Sequence, residues 1–178
     1  MKTLSLLRHA KSSWDDPVQR DYDRPLNARG KRAARTFGEW MARAGLSFDA
    51  VIASPATRVQ ETLAYVGEGR GEPFDPVWDK RIYMASATSL FEIVHETDAG
   101  IGHLLLVGHN PGLEELLLLA TEGEQSPLRA EAEEKYPTAT FATLTFDVDE
   151  WPAAEEGTAR LTCFTRPRDL DPELGPES

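Results

Sequence analysis

His103-Leu104-Leu105-Leu106-Val107-Gly108-His109-Asn110-Pro111 decides the fold class of this chain. Its unbroken apolar run is too short for a helix of useful length and reads as a fully buried strand. Before it, Ser89 to Thr97 carries Leu90, Ile93 and Val94 at helical spacing. After the Gly108-His109-Asn110-Pro111-Gly112 turn, Leu113 to Ala120 reads as a short helix. A buried strand set between two helices is the mark of α/β layering.

The same alternation extends towards the N-terminus. Thr3-Leu4-Ser5-Leu6-Leu7 reads as a buried strand that ends at Arg8. Asn27 is a good N-cap for a helix that places Ala33, Phe37, Trp40 and Met41 on one stripe and ends near Gly45. Ala50 to Ser54 is a second strand, stopped by Pro55, and Ala56 to about Val66 a second helix with Val59, Leu63 and Val66 inward. Gly67 to Pro76 reads as a Gly/Pro-rich loop, and Val77-Trp78 as a brief strand. Towards the C-terminus, Glu122 to Tyr136 is expected to be an exposed acidic excursion. Thr138 to Phe146 and Ala159 to Phe164 are β-rich, and this last pair should add antiparallel character. The expectation is therefore α/β: a three-layer sandwich whose central sheet, mostly parallel, is flanked by helices. It should form a single domain over residues 1–168, with 169–178 as a flexible, Pro/Glu-rich tail.

The length of 178 residues suits one core, and no apolar run approaches the span of a bilayer. The net charge of −11 argues against nucleic acid or an anionic membrane as partner. The short apolar start, Met1 to His9, lacks the core of a signal peptide, so a cytoplasmic location is expected. Cys163, the one cysteine, sits in an apolar run and reads as core.

Open α/β sheets bind ligands beyond the C-terminal ends of their strands. Here those ends carry Arg8-His9, Ser54-Pro55 leading to Arg58, and Gly108-His109-Asn110. Two arginines and two histidines thus follow three separate strands. Arginine presents a planar fork of donors that matches phosphoryl oxygens. A neutral imidazole is a competent nucleophile towards phosphorus, and nearby arginines would keep His9 neutral. His109 could donate to an equatorial oxygen, although in its Gly-rich turn it could instead cap the following helix. Such a site needs no metal and no cofactor, because Arg8, Arg58 and His109 already bring positive charge. Lys11, Ser12, Arg24 and Asn110 are further candidates for phosphate or substrate contact; Arg24 could equally pair with Asp21 or Asp23 on the surface. Asp15, Asp16, Asp21 and Asp23 read as a solvated acidic loop, and His95 and His103 as structural or exposed.

Arg8-His9-Ala10 resembles the Arg-His-Gly signature of the histidine phosphatase superfamily, the phosphoglycerate mutase-like proteins. Ser54-Pro55-Ala56-Thr57-Arg58-Val59-Gln60-Glu61-Thr62 resembles its Ser-Pro-x-x-Arg-x-x-x-Thr motif, and Val107-Gly108-His109-Asn110-Pro111 its third motif. The small size and Arg24-Pro25-Leu26-Asn27-x-x-Gly30 are most similar to the SixA-type phosphohistidine phosphatases. The resemblance implies the α/β fold, a phosphohistidine intermediate, and Arg8, His9, Arg58 and His109 as the core quartet.

Two departures stand out. Ala10 replaces the usual glycine. In addition, Trp78 to Met84 lacks the glutamate with which larger members protonate the leaving group, leaving Asp79 as a candidate acid. An imidazole departs more easily than an alkoxide, so a site without a strong acid favours phosphohistidine or another phosphoramidate. The substrate would be a phosphorylated protein or a small phosphorylated molecule. The alternatives are a small-molecule phosphomonoesterase or mutase of the same superfamily and, from another class, a non-catalytic phosphate-binding module.

Overall fold

The structure, a computed structural model, describes residues 1–175. Its elements follow one another as β1 (Lys2–Arg8), α1 (Ala28–Ala44), β2 (Ala50–Ala53), α2 (Thr57–Arg70), β3 (Val77–Trp78), α3 (Ala87–His95), β4 (His103–Gly108), α4 (Gly112–Ala120), α5 (Pro127–Glu134), β5 (Phe141–Phe146), β6 (Ala159–Thr165) and α6 (Pro167–Leu170), with short 3-10 turns between them. Six strands form one sheet in the order β3-β2-β4-β1-β5-β6. It is mixed: β3, β2, β4 and β1 pair in parallel, whereas β5 runs antiparallel to both β1 and β6. The parallel expectation therefore holds on one side of β1 and stops there. The antiparallel character assigned to the last pair also includes the β1–β5 seam.

Period-two alternation splits the core into two layers. Leu4, Leu6, Leu104 and Leu106 face α3 and α4, whose Leu90, Val94, Leu113 and Leu117 are buried against them. Leu7, Leu105 and Val107 face the opposite way, towards Phe37 and Met41 of α1 and Val59 and Val66 of α2. A strand covered on both faces favours apolar residues throughout, which is why Leu104 to Val107 is a continuous apolar run.

Helix α1 begins as its sequence dictates, with the Asn27 side chain accepting from Gly30 N at 2.8 Å, and ends with Gly45 at φ 67°. Helix α2 runs four residues past the predicted stop, through Gly67 and Gly69 to Arg70. These glycines serve close packing and do not break the helix. A Cβ on Gly69 would lie 2.1 Å from the Arg35 carbonyl oxygen of α1, so only glycine permits this approach of the two helices.

Two expectations about the C-terminal half are corrected. Residues 122–136 are not simply an exposed excursion. They contain α5, capped by Ser126, whose Ala132 is fully buried, and they end on Tyr136 at 3% exposure. Residues 169–175 are not a loose tail either. Arg32 of α1 pairs with Asp171 at 2.7 Å and Glu173 at 2.6 Å, Arg29 donates to the Gly175 carbonyl, and Leu174 is buried in the α1–α2 layer. An acidic segment met by arginines of α1 gains both ion pairs and apolar burial, which composition alone does not reveal. The remaining expected tail residues, 176–178, lie outside the described residues. Among the described residues no helix is long and apolar enough to cross a membrane.

Candidate active site

Register brings the three strand ends level. Leu7 of β1 and Ala53 of β2 both pair with Val107 of β4, and Arg8 pairs with Gly108. The chains leave the sheet together, with His9 N donating to Gly108 O at 3.0 Å and Ser54 N to Val107 O at 3.1 Å. His9 and His109 therefore face one another, ring centroids 5.3 Å apart. Arg58 enters the same space from the first turn of α2.

All eight sequence-derived candidates line one cleft of about 650 Å³: Arg8, His9, Lys11, Ser12, Arg24, Arg58, His109 and Asn110. His9, Arg58 and His109 form a buried floor, at 7%, 5% and 8% exposure. His9 Nδ1 lies 2.7 Å from the Ala10 carbonyl oxygen. A carbonyl can only accept, so Nδ1 carries the proton and the lone pair is on Nε2. Burial, with smaller contributions from His109, Arg58 and Arg8, lowers the His9 pKa to about 3 against the opposing Ala10 bond. Burial and then Arg58 lower His109 to about 4. Both rings are neutral at pH 7.

The residues between the motif positions hold this floor in place. Thr62 Oγ1 donates to Arg58 O at 2.6 Å and accepts from Ala10 N at 2.9 Å, tying the turn after β1 to α2. Ser54 Oγ lies 2.8 Å from His109 Nε2. Gly30 lets α1 approach the turn after His9, since a Cβ there would sit 2.1 Å from Lys11 O. Ala10 is fully buried, and it is its backbone that engages His9 and Thr62.

Sequence reading missed three contributors. Asp21, taken for part of a solvated acidic loop, accepts from Arg58 Nη2 at 3.1 Å, Arg24 Nε at 3.1 Å and Tyr83 Oη at 2.7 Å. Its backbone carbonyl takes Arg58 Nη1 at 2.7 Å. Burial by itself would raise the Asp21 pKa, but the Tyr83 hydroxyl and the two arginines outweigh it and hold it at about 2. Tyr83 is the second contributor, and no local pattern marks it. The third is the Tyr136 carbonyl, which receives Arg8 Nη1 at 2.9 Å and Asn110 Nδ2 at 3.1 Å. Arg24 makes the ion pair with Asp21, but as a buried residue at the cleft, where it also donates to Ser12 Oγ. Arg8 Nε, Arg58 Nε and His109 Nδ1 are buried without a hydrogen-bond partner among the described residues.

Asp79 is not placed as an acid. It caps the 3-10 turn Lys80–Ile82, and the Arg81 guanidinium holds its pKa below the usual carboxylate range. It does not line the cleft, nor does any other described carboxylate. Of the two readings for His103 and His95, structural or exposed, the hydrogen bonds favour the structural one: they lie 2.7 Å from Ser5 Oγ and the Ala154 carbonyl respectively.

The neutrality of His9 has a measurable consequence. Its native pKa lies below the ordinary 6.5, so between about pH 6.5 and about 3 the unfolded chain binds a proton that the native chain does not. The stability associated with this group is complete above pH 6.5 and erodes as pH falls. In a nitrogen-15 NMR titration of the free protein, His9 should remain the neutral Nδ1–H tautomer at pH 5. A midpoint near 6.5 would contradict the assignment.

Residues 4–81 match the family model of the histidine phosphatase superfamily (branch 1). An uncharacterized protein of Mycobacterium tuberculosis strain H37Rv is 35% identical over 165 residues, covering 91% of this chain and all of that protein. The phosphohistidine phosphatase SixA of Escherichia coli K12 is 24% identical over 150 residues, 80% of this chain and 84% of that one. A crystal structure provisionally named phosphohistidine phosphatase SixA, from Agrobacterium tumefaciens, superposes with a TM-score of 0.77 at 28% identity, covering 93% of this chain and 97% of the other.

Proposed function

This chain belongs to the histidine phosphatase superfamily, and from that premise we propose that it hydrolyses phosphohistidine, or a related phosphoramidate, through a covalent phospho-His9 intermediate. The observation that carries the reading is the Nδ1 bond of His9 to the Ala10 carbonyl, which leaves the Nε2 lone pair on a neutral ring. Nε2 attacks phosphorus as the bond to the leaving nitrogen breaks, and the leaving imidazole keeps its electron pair and takes a proton from solvent. Water then attacks phospho-His9, releasing inorganic phosphate and returning the ring to its starting state. Arg8 and Arg58 balance the charge of the phosphoryl oxygens, and His109 donates to one of them as charge develops. Lys11, Ser12, Arg24 and Asn110 complete the phosphate and substrate contacts. The positive charge needed for transfer comes from Arg8, Arg58, Arg24 and Lys11, so the proposed step needs no metal.

The choice of leaving group rests on the lining. No described carboxylate lines the cleft, and Asp79 is held ionised by Arg81. A group that departs without strong acid assistance therefore fits better than an alkoxide. The similarity to the Escherichia coli phosphohistidine phosphatase supports the same class. The substrate is a phosphorylated protein or small molecule met in the cytoplasm. A rate comparison tests this: kcat/KM for phosphoimidazole should exceed that for an alkyl phosphate such as phosphoserine by about a hundredfold or more. The rates should be unchanged by a metal chelator. Preference for the ester would move the chain to the phosphomonoesterases, and loss of activity restored by magnesium would overturn the metal-free step.

A further inference from the structure

The cleft is electrostatically unlike the rest of the molecule. The chain has 30 Asp and Glu against 19 Lys and Arg. Of the 18 residues lining the cleft, eight are Lys or Arg and no described one is Asp or Glu. Arg8, Arg24 and Arg58 belong to the inner site. The others form a rim drawn from separate segments: Lys11 after β1, Arg29 at the start of α1, Lys135 after α5, Arg166 between β6 and α6, and Arg168 within α6.

Rim and floor differ in kind. His9, Arg58 and His109 are buried and held by fixed hydrogen bonds, as a site for one small group requires. Lys11, Lys135 and Arg168 are exposed at the end of long stems. Neither Lys135 nor Arg168 makes a side-chain hydrogen bond or ion pair with another described residue. Exposed cations of this type do not build a subsite for a second small anion. They steer an extended negative surface and give salt-dependent association. Trp14 adds an independent feature. It lines the same cleft at 74% exposure, with the Arg24 guanidinium 3.5 Å above its ring. A large aromatic ring held at the edge of a cleft is the kind of anchor that protein interfaces use.

We propose that the mouth of this cleft is a docking surface for the acidic face of a phosphorylated protein, with Lys135, Arg168 and the Lys11–Arg29 side of the rim meeting carboxylates around the phosphorylated residue and Trp14 packing beside it. The phosphoryl group reaches the buried floor at the end of a side chain while the flanking backbone stays outside. Without the rim, a chain of net charge −11 would repel such a partner. The inference rests on the phosphoramidate reading above and goes further by assigning the charge of the partner's surface.

The test compares a phosphohistidine peptide flanked by Asp and Glu with the same peptide carrying Asn and Gln, and with phosphoimidazole as a substrate too small to reach the rim. At about 0.02 M ionic strength the acidic peptide should have about tenfold higher kcat/KM than the neutral one, through KM, and the gap should close at about 0.3 M. In the double variant Lys135→Gln/Arg168→Gln the acidic peptide should lose about tenfold in kcat/KM, with no comparable loss for phosphoimidazole. Trp14→Ala should raise KM for both peptides. Equal kcat/KM for the two peptides at low salt, while phosphoimidazole is turned over, overturns the docking surface alone. So does an acidic preference that survives the double variant. Failure to turn over phosphoimidazole and both peptides removes the phosphoramidate reading, and the docking surface with it.

Discussion

His9→Ala is expected to lower kcat by about 10⁴-fold or more, equivalent to about 5 kcal/mol of lost transition-state stabilisation. The substitution removes the nucleophile and leaves the remaining site in place. Arg8 still donates to the Tyr136 carbonyl, Arg58 still engages Asp21, and Thr62 still holds the Ala10 backbone. The stability cost should be small beside the kinetic one, since the imidazole makes a single local hydrogen bond to its neighbouring residue. Thermal unfolding should shift by only a few degrees for a loss of about 1 kcal/mol. Brief exposure to labelled phosphoimidazole should give acid-labile, base-stable phosphate on the native chain and none on the variant. Label that persists in His9→Ala would assign the nucleophile elsewhere, and an unchanged rate would sink the covalent mechanism.

Arg58→Ala is expected to lower kcat/KM by about 10³-fold, within the range seen when one fixed donor to a transition-state oxyanion is removed. Arg58 is the arginine most firmly built into the floor. Its two terminal nitrogens are both taken by Asp21, through the backbone carbonyl and the carboxylate, and Nε is buried without a described partner. Such a group pays little to reorganise when charge develops on phosphorus. Arg58→Lys should recover little, because an ammonium cannot hold Asp21 at two points and also present a planar donor to a phosphoryl oxygen. The half-exposed Asp21 retains Arg24 and Tyr83, so the lesion should appear in turnover far more than in unfolding. Quench-flow measurement of phospho-His9 formation would check this. A variant that forms the intermediate at the native rate would confine Arg58 to a structural role.

The comparison of His109 with Asp21 shows which parts of this site a sequence displays. His109 follows an apolar run that only a buried strand explains, so its place at a strand end could be read directly. Asp21 lies in a polar stretch without periodicity, 37 residues from Arg58 and 62 from Tyr83, and nothing nearby marks it. Gly67 and Gly69 misled for the opposite reason. They look like breakers locally, and only the facing backbone, Arg35 of α1 for Gly69 and Glu72-Pro73 after α2 for Gly67, shows why glycine stands inside a helix.

By itself the sequence determined the layers, the three strand ends and the four residues, Arg8, His9, Arg58 and His109, that converge in the cleft. Each follows from local chemistry: apolar runs that must be buried, a cap, a proline stop, and motif residues at fixed short spacing. Only the tertiary structure decided that β1 has an antiparallel neighbour, that Asp21 and Tyr83 support Arg58, and that Lys135, Arg166 and Arg168 add cations to the wall of the cleft. These depend on register and on contacts between distant segments, where many polar residues could have served equally well and packing selected among them.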